Sequence, residues 1–181
     1  MSARPPLRVV GRKTVYRGRV ISVVREVLQA DGRRLVRETV LHPGSVVIVP
    51  MLDRSHLIFV RQFRRAIGRT ILELPAGTVT PGEPRLRCAK RELEEETGWR
   101  AARWQRLGRF YPAPGFLAEF MTIFLATTLS RREAHPEPDE IITPIVLSLR
   151  EAKAKIRTGA ICDAKSVIGV LFAERRLGET A

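Results

Sequence analysis

The stretch GTVTPGEPRLRCAKRELEEETGW, Gly77 to Trp99, holds five glutamates and sets Arg91 among them. Carboxylates at this density do one of two things. They solvate a helix face, or they gather around a hard cation such as Mg2+ or Mn2+, which takes carboxylate oxygens and also holds phosphates. The segment predicts a helix. Pro81-Gly82 makes a turn, Glu83 and Pro84 open the helix, and Gly98 closes it. Residues three and four apart share a helix face. Glu92, Glu95 and Glu96 therefore project from one side, and Leu86, Ala89 and Leu93 form an apolar stripe on another. Like charges at that spacing repel. Arg91 relieves the repulsion in part, and a cation would relieve it further.

The elements that must position this helix are strands. Residues 14–48 read as β, with TVYRGRVISVVREVLQ rich in Val, a turn at Asp31-Gly32, and LVRETVLH returning. SVVIVPML is a buried strand and LIFVRQF its partner across the turn DRSH. TILELPAG is a short strand ending in Pro75 and Gly77. WQRLGRFYPA, EFMTIFLATTL and IITPIVLSL follow as strands, and REAKAKIRTG and DAKSVIGVLFAERRLG as two helices. Strands, a helix, more strands and two helices indicate an α/β fold: a mixed sheet packed by helices, with a small antiparallel β appendage in front.

The 181 residues suit one domain of ordinary size, at 44% hydrophobic and 28% charged. A chain of this length buries a core without disulfides. Cys88 and Cys162 read as reduced thiols packed on helices, which fits a reducing compartment. No apolar run is long enough for a signal peptide or a membrane span. The expected location is the cytoplasm, with no membrane partner. The net charge is +13, but the arginines are scattered, with no basic tail and no aromatic-basic alternation. Nucleic acid is not the expected partner.

The helix and its flanks resemble the Nudix box: Gly, five residues, Glu, seven residues, Arg-Glu, an aliphatic, any residue, Glu-Glu, any residue, Gly, an aliphatic. Here these are Gly77, Glu83, Arg91-Glu92-Leu93, Glu95-Glu96 and Gly98. All seven fixed residues match. The departure is Trp99, at a packing position where an aliphatic is usual. The resemblance implies a Nudix-type α/β/α sandwich and hydrolysis of a nucleoside diphosphate linked to another group. It also implies Mg2+ or Mn2+, two or more ions per site, held by Glu92 and Glu96. Glu95 is then a ligand or nearby acid, and the Ala76 carbonyl a further ligand. Glu83 is peripheral, and Arg91 orients the carboxylates.

Outside the box the chain resembles ADP-ribose pyrophosphatases over most of its length. ELPAG, Glu73 to Gly77, leads into the box. YPAPGF, Tyr111 to Phe116, puts Pro114 sixteen residues after Gly98, at the subfamily's marker proline. ICDAKSVIGVLF resembles the C-terminal helix, and LVRETVLHPG an appended β-domain that pairs with a second subunit. This implies an appendage over 1–44, a hydrolase domain over 45–181, a homodimer and a nucleotide-sugar substrate. Substrate contacts are expected from Arg37, Glu38, Arg61, Arg64, Pro114, Gly115 and Phe116. The loop HPEPDEIIT supplies Glu137 and Glu140 as candidate general bases, with Glu95 the alternative. Relatives often carry another Glu at the position of Thr143, so the base stays open. His42 and His135 read as loop residues. The resemblance also leaves open GDP-mannose or a nucleoside triphosphate as substrate, and a Nudix-fold regulator that binds without cutting.

Overall fold

A computed structural model describes residues 7–132 and 142–178. The chain divides into two compact units, Met1–Gly44 with Tyr111–Phe120, and Ser45–Phe110 with Met121–Ala181.

The first unit is an antiparallel meander of β1 (Arg8–Arg17), β2 (Ser22–Ala30) and β3 (Arg33–Leu41). The Val-rich stretch around Gly18 is therefore two strands, not one. The Gly18 N–H bonds the Ile21 carbonyl at 2.8 Å and closes the turn between them. Asp31 and Gly32 both take positive φ, 49° and 73°. That geometry matches the twist of the strands it joins and sets Ala30 opposite Arg33. Tyr111–Phe120 ties to β3: the Val40 N–H bonds the Phe116 carbonyl at 2.8 Å, and the Ala118 N–H bonds the Val40 carbonyl at 2.9 Å.

The second unit is built on β4 (Ser45–Pro50), every residue of which is buried. Successive side chains of a strand point to opposite faces. Val46 and Ile48 pack with Cys88, Ala89 and Leu93 of α1 (Arg85–Thr97). Val47 and Val49 pack with Val170 and Ala173 of α3 (Ala164–Gly178). Apolar side chains on both faces thus demand helices on both faces, which makes the expected α/β/α sandwich. Around β4 runs a mixed sheet in the order β7 (Ala76–Thr78), β4, β9 (Met121–Arg131), β8 (Trp99–Phe110), with β4 and β9 parallel. A separate antiparallel sheet has the order β10 (Ile142–Ser148), β5 (His56–Arg64), β6 (Arg69–Glu73). The expected single sheet is therefore two. TILELPAG is likewise split, because Leu74-Pro75 separates β6 from β7. Between β10 and α3 lies α2 (Leu149–Arg157), opened by a capping box in which Ser148 and Glu151 satisfy each other's backbone N–H groups.

Two sequence expectations about packing need correction. Leu86 is exposed, and Cys88 joins Ala89 and Leu93 in the buried arc of α1. Leu86 lies in the first turn of α1. Cys162 is exposed and precedes α3 instead of packing on it.

Candidate active site

The helix α1 starts after Pro84 and ends at Gly98, whose left-handed φ of 69° lets its N–H cap the Glu94 carbonyl at 2.9 Å. At about 100° per residue, Ala89, Glu92, Leu93 and Glu96 fall on one arc. The expected division into an acidic side and an apolar side is thus wrong in one respect. Glu96 sits in the middle of the buried arc, only 3% exposed, while Glu95 stands at its rim.

The buried arc faces β7 and the residues leading into it. The Ala76 N–H donates to the Glu96 carboxylate at 3.1 Å. The Glu92 side chain lies against Gly77 so closely that a Cβ there would meet its carboxyl carbon at 1.9 Å. This is a physical reason for glycine at the head of the box: any side chain would displace Glu92. Ala76, Gly77, Glu92 and Glu96 are thereby assembled from β7 and one helix turn.

Arg91 is the hub of the remaining carboxylates. Its guanidinium contacts Glu92 at 2.8 Å, Glu95 at 2.8 Å and Glu83 at 3.3 Å. Partial burial pulls the Arg91 pKa down, but bonds and charges from Glu83, Glu92 and Glu95 outweigh it, and the net shift is upward. Burial likewise opposes ionisation of Glu83, and the Arg91 hydrogen bond overcomes it, so Glu83 titrates below its ordinary range. Burial, followed by the charges of Glu92 and Glu83, pushes the Cys88 thiol up to about 12. A thiol in that state is no nucleophile.

These donors are all oxygens, two of them on carboxylates one helix turn apart. That set suits a hard divalent cation. In this conformation, among the described residues, no three carboxylate, imidazole or thiol groups surround a common point suited to an ion. Arg91 engages Glu92 and Glu95, and the Ala76 N–H engages Glu96.

The other expected site residues fall in two places. Arg61 and Arg64 lie on β5 of the second unit, Arg61 exposed. Arg64 forks onto Glu73, with Nε at 2.6 Å and Nη2 at 2.9 Å from its two oxygens. Arg37 and Glu38 lie on β3 of the first unit, which also contains Pro114, Gly115 and Phe116. Glu38 pairs across strands with Arg25 at 2.9 Å, and Arg37 donates to the Val36 carbonyl at 2.9 Å. Phe116 is 58% exposed. His42 follows β3 and accepts from the Gly44 N–H at 3.0 Å. Glu137, Glu140 and His135 lie outside the described residues.

Sequence reasoning passed over one constellation: Glu73, Lys165, Asp163 and Ser166, joined by hydrogen bonds. The available signal was a lone Glu and a lone Lys standing in apolar runs, ILELP and AKSVIGV.

The NUDIX domain model matches residues 41–167, and the chain belongs to the Nudix hydrolase family. It is 34% identical over 168 residues to the ADP-ribose pyrophosphatase of Bacillus subtilis, covering 91% of each chain. It is 36% identical to that of Mycobacterium tuberculosis, over 93% of this chain and 84% of that one. It is also 34% identical to the methanol dehydrogenase activator of Bacillus methanolicus, over 91% of each. GDP-mannose pyrophosphatases stand lower in identity. A crystal structure of an ADP compounds hydrolase superposes with a TM-score of 0.89 at 24% identity, over 100% of this chain and 99% of that one, which shows the shared fold. Nudix hydrolases generally use divalent metal. Among the described residues, no helix is long and apolar enough to cross a membrane.

Proposed function

We propose that the protein hydrolyses ADP-ribose to AMP and ribose 5-phosphate, one water being added across the pyrophosphate link. The observation that carries the reading is the box itself, folded so that Glu92 and Glu96 meet Ala76-Gly77, in a chain related to ADP-ribose pyrophosphatases over most of its length.

In this reading Glu92 and Glu96 hold Mg2+ or Mn2+, two or more ions per site, with Glu95 and the Ala76 carbonyl as further oxygen donors. A bound ion supplies positive charge that polarises a phosphoryl oxygen and favours a nucleophilic water. The chain's own residues do the positioning. Glu96 is fixed by the Ala76 N–H, and Arg91 restrains Glu83, Glu92 and Glu95 through one planar guanidinium. The general base is one of Glu95, Glu137 and Glu140, which must reach the attacking water within hydrogen-bond distance. Arg37, Glu38, Arg61, Arg64, Pro114, Gly115 and Phe116 contact the substrate, guanidinium groups being suited to fork onto phosphate oxygens.

The protein acts in the cytoplasm as a homodimer. The supporting feature is the first unit, whose strands expose Val9, Val10, Val15, Tyr16 and Val36. Three strands bury too little apolar surface by themselves, and a second copy covers such faces with two-fold symmetry. Light scattering at micromolar concentration should give twice the chain mass.

The substrate is tested with a panel of ADP-ribose, GDP-mannose, nucleoside triphosphates and dinucleoside polyphosphates with Mg2+, identifying the products. AMP and ribose 5-phosphate are expected. Turnover of GDP-mannose or a triphosphate with ADP-ribose untouched would sink the substrate assignment and leave the family standing.

A further inference from the structure

The second unit contains a charged cluster that the box does not explain. Glu73 ends β6, and its side chain is 1% exposed. Burying a carboxylate is costly unless it is paired and hydrogen-bonded. Here two cations meet it. Arg64 forks onto both oxygens, and Lys165 of α3, itself 9% exposed, reaches one of them. Lys165 also donates to Asp163 at 3.0 Å. Asp163 caps α3 by accepting the Ser166 N–H at 3.1 Å and the Ser166 hydroxyl. The Ser166 hydroxyl oxygen in turn accepts the Leu74 N–H at 2.7 Å.

Two further contacts give this network a direction. First, α3 is seated on the chain leading into the box. A Cβ at Gly169 would meet the Leu74 side chain at 2.4 Å, so helix and loop are packed as close as glycine allows. Glu73 and Leu74 lie just before Ala76-Gly77, the backbone against which Glu92 and Glu96 rest. Secondly, Arg64 lies within electrostatic reach of the box. Burial would lower its pKa, but Glu73 above all, then Glu96 and Asp163, raise it. Glu73 takes Nε and Nη2 of Arg64, whose side chain is 38% exposed. A half-exposed guanidinium gripped by two bonds at one edge is pre-organised for an anionic oxygen.

We propose that Glu73 and Lys165 are positioning residues for the reaction centre: Lys165 holds Glu73 in place, and Glu73 fixes the Arg64 guanidinium to receive a substrate phosphate. The assignment rests on the phosphate-cleaving reading above. It differs from a purely structural role because the two residues act through Arg64. A structural ion pair would stabilise the fold whatever Arg64 did.

The test has an arm that needs no turnover. In a 1H-15N spectrum of the whole protein, the Arg64 Nε–H is identified by its loss in Arg64→Lys. It should exchange slowly in the wild type and become rapidly exchanging in Glu73→Gln and in Lys165→Met. Protection unchanged in both variants overturns the proposal. The second arm measures ADP-ribose hydrolysis. Lys165→Met should raise KM about tenfold or more, the scale of one charge-assisted hydrogen bond, with kcat changed much less. In an Arg64→Ala background the same substitution should change KM less than about twofold, because interacting sites are non-additive. Full additivity overturns the proposal. If Lys165→Met does not fold, Glu73→Gln, which keeps the side-chain shape, takes its place in both arms. If the wild type leaves ADP-ribose intact, the substrate reading fails, and the exchange arm still decides the positioning.

Discussion

Two charged clusters in the second unit are built on opposite principles. Around α1, three carboxylates, Glu83, Glu92 and Glu95, meet one guanidinium, Arg91, and a fourth, Glu96, is buried against the Ala76 N–H. Around the end of β6, two carboxylates, Glu73 and Asp163, meet two cations, Arg64 and Lys165. The second cluster is balanced, with Glu73 deeper than any glutamate of the box. The first keeps formal negative charge in excess. Charge is left unbalanced in a fold only against repulsion, so the excess points to something added from outside, and the balanced cluster to something held from within. A divalent cation at the first site would complete the neutralisation that Arg91 begins.

The largest expected effect falls on the unbalanced cluster. Glu92→Gln and Glu96→Gln should each lower kcat/KM by about a hundredfold or more, the scale of losing a key electrostatic group in a site. Stability in EDTA should move the other way. Removing one of several crowded like charges should leave Tm unchanged or raise it. Mg2+ should raise the wild-type Tm by binding the folded state alone, and should do so less in either variant. Full turnover in both variants, or a Tm in EDTA that drops sharply, would mean that these glutamates serve only the helix.

The balanced cluster should respond in reverse. Breaking a buried pair by removing one partner leaves an uncompensated charge and costs about 3–5 kcal/mol. For Lys165→Met the lower end applies, because the Arg64 charge, even on a loosened side chain, still offsets part of that of Glu73. A loss of about 3 kcal/mol lowers Tm by roughly 6–12 °C in a chain of this size. The exposed pair of Arg100 with Glu94, at 3.0 Å, is the control. Its loss should cost under about 1 kcal/mol. Equal effects at the two pairs would mean that burial gives the Glu73 cluster no more weight than a surface ion pair.

How much of this was legible in the sequence differs between the clusters for a physical reason. The box is local: its residues lie within one turn and one helix, so spacing alone puts Glu92 and Glu96 near one another. The two-sided cover of β4 was legible for a similar reason, because SVVIVP is apolar at every position but the ends and must be covered on both faces. Its strand neighbours were not: LIFVRQF is expected as its partner across a turn, whereas β4 pairs with β7 and β9 and LIFVRQF lies in the other sheet. Glu73 and Lys165 lie 92 residues apart and meet only after β6 and α3 are packed. No periodicity carries that information. The depth of Glu96 was missed because helical spacing fixes which residues share a face, not which face the sheet covers. A carboxylate beside Ala89 and Leu93 was assigned to the polar side by its charge, whereas the Ala76 N–H supplies the partner that lets it be buried.

The smallest expected effect uses Cys88 as a reporter inside the unbalanced cluster. Its thiol is pushed up to about 12 first by burial, then by the charges of Glu92 and Glu83. The sign follows from which form the fold favours. The neutral thiol is favoured in the folded chain, so its contribution to stability is full below the unfolded pKa near 9. It declines as pH rises from there toward the folded value. Cys162 is exposed. At pH 8 a thiol reagent should therefore label Cys162 readily in the native protein and Cys88 only after denaturation. In Glu92→Gln the Cys88 pKa should fall, but by less than its full elevation, because burial remains the larger cause. The check is the native labelling rate of Cys88 against pH in a Cys162→Ser background, with and without Glu92→Gln. A pH profile that ignores Glu92→Gln would mean that the negative field assigned to this cluster does not reach Cys88, and the contrast between the two clusters would then rest on their geometry alone.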